Sequence, residues 1–187
     1  MRHLFFLSII IFITSCSAIV GIKKTTYLDD VQIKQFCNIS SFYICTSIDS
    51  SYDQTIKQIK NKRLINALQQ PLQFRYYEKS KLKILLVNCD LQGFPKLNWN
   101  TYRTLDSFPI QNFYYYPDSI NISFEKSILR DKVTFPNEGT AIFIYCNVFM
   151  QKQTDILLNF TKKLEHFKLP TYLVNNDNYF YYLDKKK

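Results

Sequence analysis

The sequence predicts a single α/β domain whose mixed sheet carries helices on both faces. Residues 140–178 contain an apolar run, an amphipathic helical stripe and a second short apolar run. A strand, a helix and a strand of this length form a βαβ unit, in which the two strands are parallel neighbours with a right-handed crossover. Residues 72–87 have the pattern of a hairpin, which adds antiparallel strands. No internal repeat or low-complexity linker divides the chain, so one domain is the simplest interpretation.

Residues 1–15 have the features of a lipoprotein signal peptide. Arg2 supplies a positive charge, and the apolar run at 4–13 is shorter than the roughly 20 residues that cross a bilayer. The sequence ITSC at 13–16 resembles the lipobox of bacterial lipoproteins. The resemblance implies cleavage before Cys16 and attachment of acyl chains such as palmitate to that residue. The alternative is an ordinary secretory signal, or an uncleaved anchor, in which Cys16 has no role.

The lipobox resemblance also predicts where the protein resides. Ser17 follows the cysteine, whereas an aspartate there retains many such lipoproteins in the inner membrane, so we expect the outer membrane. No acidic run follows, which favours the periplasmic face over the cell exterior. Residues 16–26 would then tether a domain of residues 27–187 to the membrane. Lys23 and Lys24 in that tether would meet anionic lipid headgroups.

The N-terminal part of the domain is predicted to contain two helices and a strand. Asp29 or Asp30 can cap a short first helix. Residues 42–45 are β-favouring and are bounded by serines, as expected of a strand. Residues 52–68 place apolar side chains on one helical face and lysines on the other, and Pro71 marks the end of that helix.

The middle of the chain is predicted to contain the hairpin, two loops and a further helix. Residues 72–77 and 82–87 are the hairpin strands, although the turn between them has no glycine. Residues 89–100 contain a glycine that is followed two positions later by a proline. This pair indicates an ordered turn. The aromatic residues 113–116 either cover the sheet, which we favour, or line a binding groove. Residues 123–130 have the pattern of a short helix.

The βαβ unit closes the predicted fold. Its first strand, 141–145, is continuously apolar, as in a strand buried on both faces. Its second strand, 172–174, ends at the polar run 175–178, and Pro170 ends the helix before it. The helix places five apolar side chains on one stripe: Ile156, Leu157, Phe160, Leu164 and Phe167.

The charge of the chain does not indicate a nucleic-acid partner. The formal net charge is +9 at pH 7, a balance that often accompanies nucleic-acid binding. Export from the cytoplasm argues against such a partner, and the Lys and Arg residues are spread along the chain instead of clustering. We therefore predict contact with a membrane through the lipid anchor and with an envelope protein, and no contact with nucleic acid.

No motif for catalysis, metal binding or cofactor binding occurs in the chain. Removal of residues 1–15 leaves one histidine, His166, on a lysine-rich helix, and there is no CxxC, HxxxH, GxGxxG or phosphate loop. Carboxylate pairs remain as candidates for acid–base chemistry, but nothing singles out a general acid among them. The two pairs considered are Asp49 with Asp53 and Asp118 with Glu125. We predict no catalytic residue, no metal site and no cofactor.

Four cysteines remain once Cys16 is acylated, and an oxidising compartment allows them three pairings. Cys37 and Cys45 are the closest in sequence, so a disulfide between them is sterically allowed. Cys89 and Cys146 each lie at or near the end of an apolar strand, where a buried thiol acts as a small hydrophobe. The sequence leaves the oxidation state of all four open.

The βαβ unit is similar to the core of the thioredoxin fold. The resemblance lies in the strand at 142–145 and in Val174-Asn175-Asn176-Asp177, which matches the Val-Asn-x-Asp ending of the second strand. At the helix start, where thioredoxins have Cys-x-x-Cys, this chain has Phe149-Met150-Gln151-Lys152, and Cys146 lies three residues too early. The usual C-terminal hairpin is absent, unless residues 72–87 supply it from the N-terminal side. The resemblance therefore implies a thioredoxin-like scaffold without redox activity.

The whole chain also resembles a small group of lipoproteins from Bacteroidetes. The shared features are the lipobox, the GIKK segment at 21–24, and Asn88-Cys89 followed by Gly-Phe-Pro-x-Leu-Asn-Trp. Together these features favour a non-catalytic envelope lipoprotein with a protein-interaction or structural role. The alternative is an atypical thiol–disulfide oxidoreductase that uses Cys89 and Cys146.

Overall fold

A five-stranded mixed sheet lies at the centre of the chain. A computed structural model describes residues 22–38, 44–87, 120–129, 132–136 and 139–186. The strands are β1 (Ile44–Ser47), β2 (Gln73–Glu78), β3 (Lys81–Val87), β4 (Ala141–Cys146) and β5 (Thr171–Asn175). Their order is β1-β5-β4-β2-β3, with β5 parallel to β1 and β4, and with β2 antiparallel to β4 and β3. The predicted α/β class and mixed sheet are confirmed.

Helices cover both faces of this sheet, as predicted. They are α1 (Asp30–Cys37), α2 (Ser51–Ile56), α3 (Lys62–Leu68), α4 (Ile122–Leu129), α5 (Gln151–Lys162), a 3₁₀ turn (Glu165–Phe167) and α6 (Asp177–Lys185). The apolar side of α5 and Phe36 of α1 pack on one face. Helices α2, α3 and α4, together with Tyr179 of α6, pack on the other. The described residues thus form one domain with a core on each side of the sheet.

Strand β4 is continuously apolar because both of its faces are buried. Ile142 and Ile144 join the core beneath α5, whereas Phe143 and Tyr145 join the core beneath α2, α3 and α4. The ring of Phe143 stacks on Tyr172 of the neighbouring strand at 4.7 Å between centroids. The alternation of side chains along a strand therefore supplies both cores from one short segment.

The turn between β2 and β3 forms without glycine in the turn itself. Lys79 and Ser80 both have positive φ angles, +47° and +67°, as a two-residue hairpin turn requires. The backbone of Gly139 packs directly on Ser80, whose N–H donates to the Gly139 carbonyl at 2.8 Å. A Cβ atom on Gly139 would lie 2.1 Å from the Ser80 hydroxyl, so only glycine fits. The hairpin precedes the βαβ unit in the chain. Because β2 also pairs with β4, the hairpin lies next to that unit in the sheet.

Three elements differ from the sequence prediction by more than one residue at a boundary. The single helix predicted over 52–68 is two helices, because the Asn61 side chain accepts from the Leu64 N–H and starts α3 anew. The predicted βαβ helix ends as α5 at Lys162 and is followed by the 3₁₀ turn. Strand β1 extends to Ser47, past the predicted end at residue 45.

Helix α6 was not predicted at all, and its stability comes from tertiary contacts. Its sequence, DNYFYYLDK, contains few strong helix formers, so propensity alone does not predict it. Tyr179 is buried in the core, and the Asn178 side chain bonds both the N–H and the carbonyl of Leu28. Short helices depend on such packing for most of their stability.

Several predictions concern residues outside the described ranges. These are the signal peptide and lipobox with Cys16, the turn at 89–100 with Cys89, and the aromatic residues 113–116. Within the described ranges, no helix combines the length and apolar character needed to span a bilayer.

Candidate functional site

The loop of residues 147–150, called here the β4–α5 loop, leads into residues 149–152, the position at which the thioredoxin resemblance would place redox cysteines. It follows β4 directly. The parallel neighbour β5 ends at residue 175, and residues 176 and 177 follow it at the same edge of the sheet. In α/β sheets, ligands bind at the carboxyl ends of the strands. We therefore take this edge as the candidate site.

The carboxylate of Asp177 occupies the inner side of this loop. Its two oxygens accept from the Val148 N–H at 2.8 and 3.1 Å, and one of them accepts from the Phe149 N–H at 3.3 Å. The Asn175 side chain donates a further bond at 2.7 Å. Burial raises the pKa of the Asp177 carboxyl above its ordinary value, and these hydrogen bonds oppose that shift. An internal anion thus already satisfies the N–H groups that precede α5.

Two asparagines complete the hydrogen bonding of the loop. The Asn147 side chain accepts from the Met150 N–H at 2.9 Å and donates to Asn176 and to the Pro71 carbonyl, both at 3.0 Å. Asn176 donates to the same Pro71 carbonyl at 2.8 Å, and the Thr154 hydroxyl donates to the Asn147 carbonyl at 2.7 Å. These bonds join the loop to α5, to the start of α6 and to the chain before β2.

The first two of the four residues at the thioredoxin motif position, 149–152, are apolar and buried. Phe149 is 8% exposed and Met150 is 4% exposed, and Met150 is the residue that precedes the first turn of α5. Neither side chain ionises, so neither can act as the attacking group that a helix N-terminus would activate.

Cys146 is a free thiol that solvent does not reach. It ends β4, is 0% exposed and faces the core beneath α5. Burial raises the pKa of this thiol well above its ordinary value, and the negative charge of Asp177 raises it further. Its proposed partner in the alternative mechanism, Cys89, lies outside the described residues.

The structure joins Cys37 and Cys45 in a disulfide. The bond links the last residue of α1 to β1, with 5.5 Å between the Cα atoms, and both side chains are half-buried against the core. This is the pair that the sequence placed closest. The lipidation candidate, Cys16, lies outside the described residues.

A buried ion pair between Arg75 of β2 and Glu125 of α4 escaped the sequence analysis. Arg75 Nη1 lies 2.8 Å from Glu125 Oε1, and both side chains are 0% exposed. The Tyr77 and Tyr145 hydroxyls donate to the Glu125 carboxylate at 2.7 and 2.5 Å. The Tyr145 ring also lies against the guanidinium, 3.9 Å from its centroid to the Arg75 Cζ. The two charges are paired inside the core, where neither side chain reaches solvent.

The Arg75 guanidinium is further held by Gln73 and Tyr52. The Gln73 side-chain oxygen accepts from Arg75 Nε at 2.9 Å, and the Tyr52 hydroxyl accepts from Nη2. Burial would lower the pKa of Arg75, but the Tyr145, Tyr52 and Glu125 oxygens raise it well above its ordinary value. The one signal in the sequence was an arginine between aromatic residues of a predicted strand.

The carboxylates considered as acid–base candidates have other partners. Asp53 forms an ion pair with Lys57 at 2.6 Å, and Asp49 accepts from the Ser51 N–H at the start of α2. Glu125 pairs with Arg75, and its suggested partner Asp118 lies outside the described residues. His166 is exposed and rests on Phe167. In the part of the chain that the structure describes, no group of three His, Cys, Asp or Glu side chains could hold a metal ion.

No family model, curated protein or solved structure matches this chain.

Proposed function

We propose that this protein is a non-catalytic, lipid-anchored protein of the bacterial cell envelope. Its thioredoxin-like scaffold serves a protein-interaction or structural role. The observation that carries the proposal is the β4–α5 loop, in which the Asp177 carboxylate takes the backbone N–H groups of Val148 and Phe149. The lipid anchor is proposed from the lipobox at residues 13–16.

The loop opposes thiol–disulfide chemistry for a physical reason. Such enzymes need a thiolate near neutral pH, and an unperturbed cysteine with a pKa of about 8.5 is only a few per cent ionised there. Redox enzymes lower that pKa by placing the thiol against free N–H groups at a helix N-terminus. Here the apolar residues Phe149 and Met150 precede α5, and Asp177 takes the Val148 and Phe149 N–H groups of the loop before that helix. Cys146, the free thiol among the described residues, is buried with a raised pKa.

The absence of redox activity is tested by insulin-disulfide reduction with the purified mature protein and with a thioredoxin as positive control. We expect no turnover above buffer. Turnover comparable to thioredoxin that disappears in Cys146→Ser or Cys89→Ser would favour the oxidoreductase alternative. As a matched control, Cys37→Ser with Cys45→Ser removes the disulfide and should leave the result unchanged.

The accessibility of Cys146 gives an independent check. In a Cys16→Ala, Cys89→Ser variant it is the one free thiol, because Cys37 and Cys45 are bonded to each other. We expect a colorimetric thiol reagent at pH 8 to react with it only after addition of denaturant. Rapid reaction in the folded protein would contradict the proposal.

The anchor is tested by metabolic labelling with palmitate. We expect labelled wild-type protein, unlabelled Cys16→Ala, and labelled Cys89→Ser as the matched control. Density-gradient fractionation should place the wild type in the outer membrane, and Ser17→Asp should move it to the inner membrane. Equal labelling of the wild type and Cys16→Ala would end the lipoprotein interpretation. In a separate experiment, crosslinking in native membranes followed by purification would identify the envelope partner.

A further inference from the structure

Residues 22–28 lie along α6 and form one continuous surface with it. The Thr25 hydroxyl donates to the Asp184 carboxylate at 2.5 Å. The Leu28 N–H and carbonyl are both bonded by the Asn178 side chain, at 2.7 and 2.9 Å. The segment is therefore attached to both ends of α6.

Tyrosines and lysines dominate this surface. The Tyr27 ring makes edge contacts with the rings of Tyr181 and Tyr182, at 5.8 and 6.2 Å between centroids. Tyr27 is 52% exposed and Tyr182 is 37% exposed, although both are large aromatic side chains. The Lys185 ammonium lies 5.5 Å from the centroid of the Tyr181 ring, and Lys24 lines the same cleft of about 390 Å³. We call Lys24, Tyr27, Tyr181, Tyr182 and Lys185 the tyrosine–lysine surface.

Positive charge exceeds negative charge around this surface. Residues 22–30 and 179–186 together contain four exposed lysines and three exposed aspartates: Lys23, Lys24, Lys185, Lys186, Asp29, Asp30 and Asp184. Asp184 accepts from Thr25, and Asp29 accepts from the Gln32 N–H as the cap of α1. The lysines therefore give a modest attraction to an anionic surface, and the exposed aromatic rings must supply the rest.

The position of this surface follows from the length of the tether. Five residues separate Cys16 from Ile22, so the two Cα atoms can be at most about 22 Å apart in a fully extended chain. The Lys23 N–H donates to the Phe149 carbonyl in the β4–α5 loop at 2.7 Å, so the domain is held from residue 23 onward. A lipid on Cys16 would thus keep this side of the domain next to the bilayer.

We propose that the tyrosine–lysine surface docks on the anionic lipid surface of the membrane that anchors the protein. Tyrosine rings favour the headgroup region, where the ring is buried and the hydroxyl stays hydrated. Lysines beside them attract anionic headgroups. The inference rests on the proposed lipid anchor, and it adds that the domain has one fixed orientation on the membrane instead of rotating freely on its tether.

The test uses a fluorescent probe on the full-length lipoprotein in vesicles of phosphatidylcholine with phosphatidylglycerol. In a Cys89→Ser background, Thr26→Cys places the probe on the exposed N-terminal segment, and Lys81→Cys places it on the hairpin. The hairpin turn lies at the opposite end of the sheet from the β4–α5 loop, because β2 is antiparallel to β4. Lipids with a spin label in the headgroup region quench only probes close to the bilayer.

We expect strong quenching of the probe at position 26 and little at position 81. Tyr27→Ser with Tyr182→Ser should clearly reduce the difference between the two positions, and Lys24→Gln with Lys185→Gln should reduce it to a smaller extent. Lys60→Gln with Lys62→Gln removes the same amount of charge from exposed positions elsewhere and should preserve the difference in quenching. Near-UV circular dichroism verifies that each variant is folded.

Palmitate content, measured on the same preparations, separates the two proposals. If the palmitate-bearing protein shows equal quenching at both positions, or if the surface variants quench like the wild type, the docking inference is wrong and the anchor stands. If palmitate is absent, the anchor itself is wrong and the docking inference fails with it.

Discussion

Asp177 is the residue on which the β4–α5 loop depends. Its carboxylate accepts hydrogen bonds from two backbone N–H groups of the loop and from the amide of Asn175. A hydrogen bond to a charged acceptor contributes about 1.5–3 kcal/mol to stability, more than a hydrogen bond between neutral groups. Asp177 also begins α6, so its negative charge lies at the positive end of that helix dipole.

Asp177→Asn should therefore destabilise the protein. The new amide N–H₂ group must face at least one of these donors, which leaves a buried group unpaired at a cost of about 1–3 kcal/mol. Urea unfolding measures the change. Asp155→Asn is the matched control, since Asp155 is exposed and accepts a surface bond from Gln151, and it should cost under about 0.5 kcal/mol. Equal effects of the two substitutions would contradict this role of Asp177.

Between elements, the Arg75–Glu125 pair fastens α4 to β2 across the core. The desolvation of two charges is costly, and their mutual attraction and the surrounding hydroxyls offset it. Such a pair is sensitive to the loss of one member, because the remaining charge stays buried without a partner. We therefore expect the pair to specify how α4 packs on the sheet more than it adds net stability.

Glu125→Gln should cost about 3–5 kcal/mol, because it leaves the Arg75 guanidinium buried without a counter-charge. Denaturant unfolding measures the loss, and Glu165→Gln, at an exposed position, is the control. Adding Arg75→Met to Glu125→Gln should cost clearly less than the sum of the two single substitutions. Strict additivity would show that the two charges do not act as a pair.

The Cys37–Cys45 disulfide is a second link between elements, joining α1 to the edge strand β1. It closes a short loop, with a sequence separation of 8, and so restricts the unfolded chain. Replacing both cysteines with alanine should lower the free energy of unfolding by about 2.5 kcal/mol. A reducing agent should lower the stability of the wild type and leave the variant unchanged. If reduction had no effect on the wild type, the disulfide would not form in the purified protein.

At the scale of the whole domain, the two cores on either side of the sheet bury several tyrosine hydroxyls. Burial raises the pKa of Tyr77 and Tyr145 well above the ordinary value, and it raises the pKa of Tyr76 to about 12. In the unfolded chain these phenols would ionise near pH 10. Because the folded pKa lies above the unfolded one, their contribution to stability is fully present below pH 10 and is lost as the pH rises above it.

We therefore expect alkaline unfolding to accompany tyrosine ionisation. Part of the rise in absorbance at 295 nm should occur only when the far-UV circular dichroism signal is lost, as the buried phenols become accessible. Tyr77→Phe should reduce the amplitude of that late phase. Complete ionisation near pH 10 with an intact dichroism signal would contradict the burial of these hydroxyls.

The sequence by itself determined the elements whose signal is local. The apolar run at 141–145, the stripe ending before Pro170 and the run at 172–174 predicted the βαβ unit, because periodicity reports which faces are buried. The cap at Asp29 and the hairpin were also recognisable, since capping and alternation depend on neighbours within a few residues. The missing Cys-x-x-Cys at residues 149–152 was equally visible.

Only the tertiary structure decided the contacts between distant residues. Arg75 and Glu125 are 50 residues apart, and Asp177 is 29 residues from Val148, so no local pattern links either pair. Helix α6 was missed for the same reason, because the burial of Tyr179 and the bonds from Asn178 to Leu28 stabilise a sequence of weak helix propensity. Which donors meet which acceptors is set by how the helices pack on the sheet, and that packing fills the edge of the sheet at the β4–α5 loop with the protein's own carboxylate.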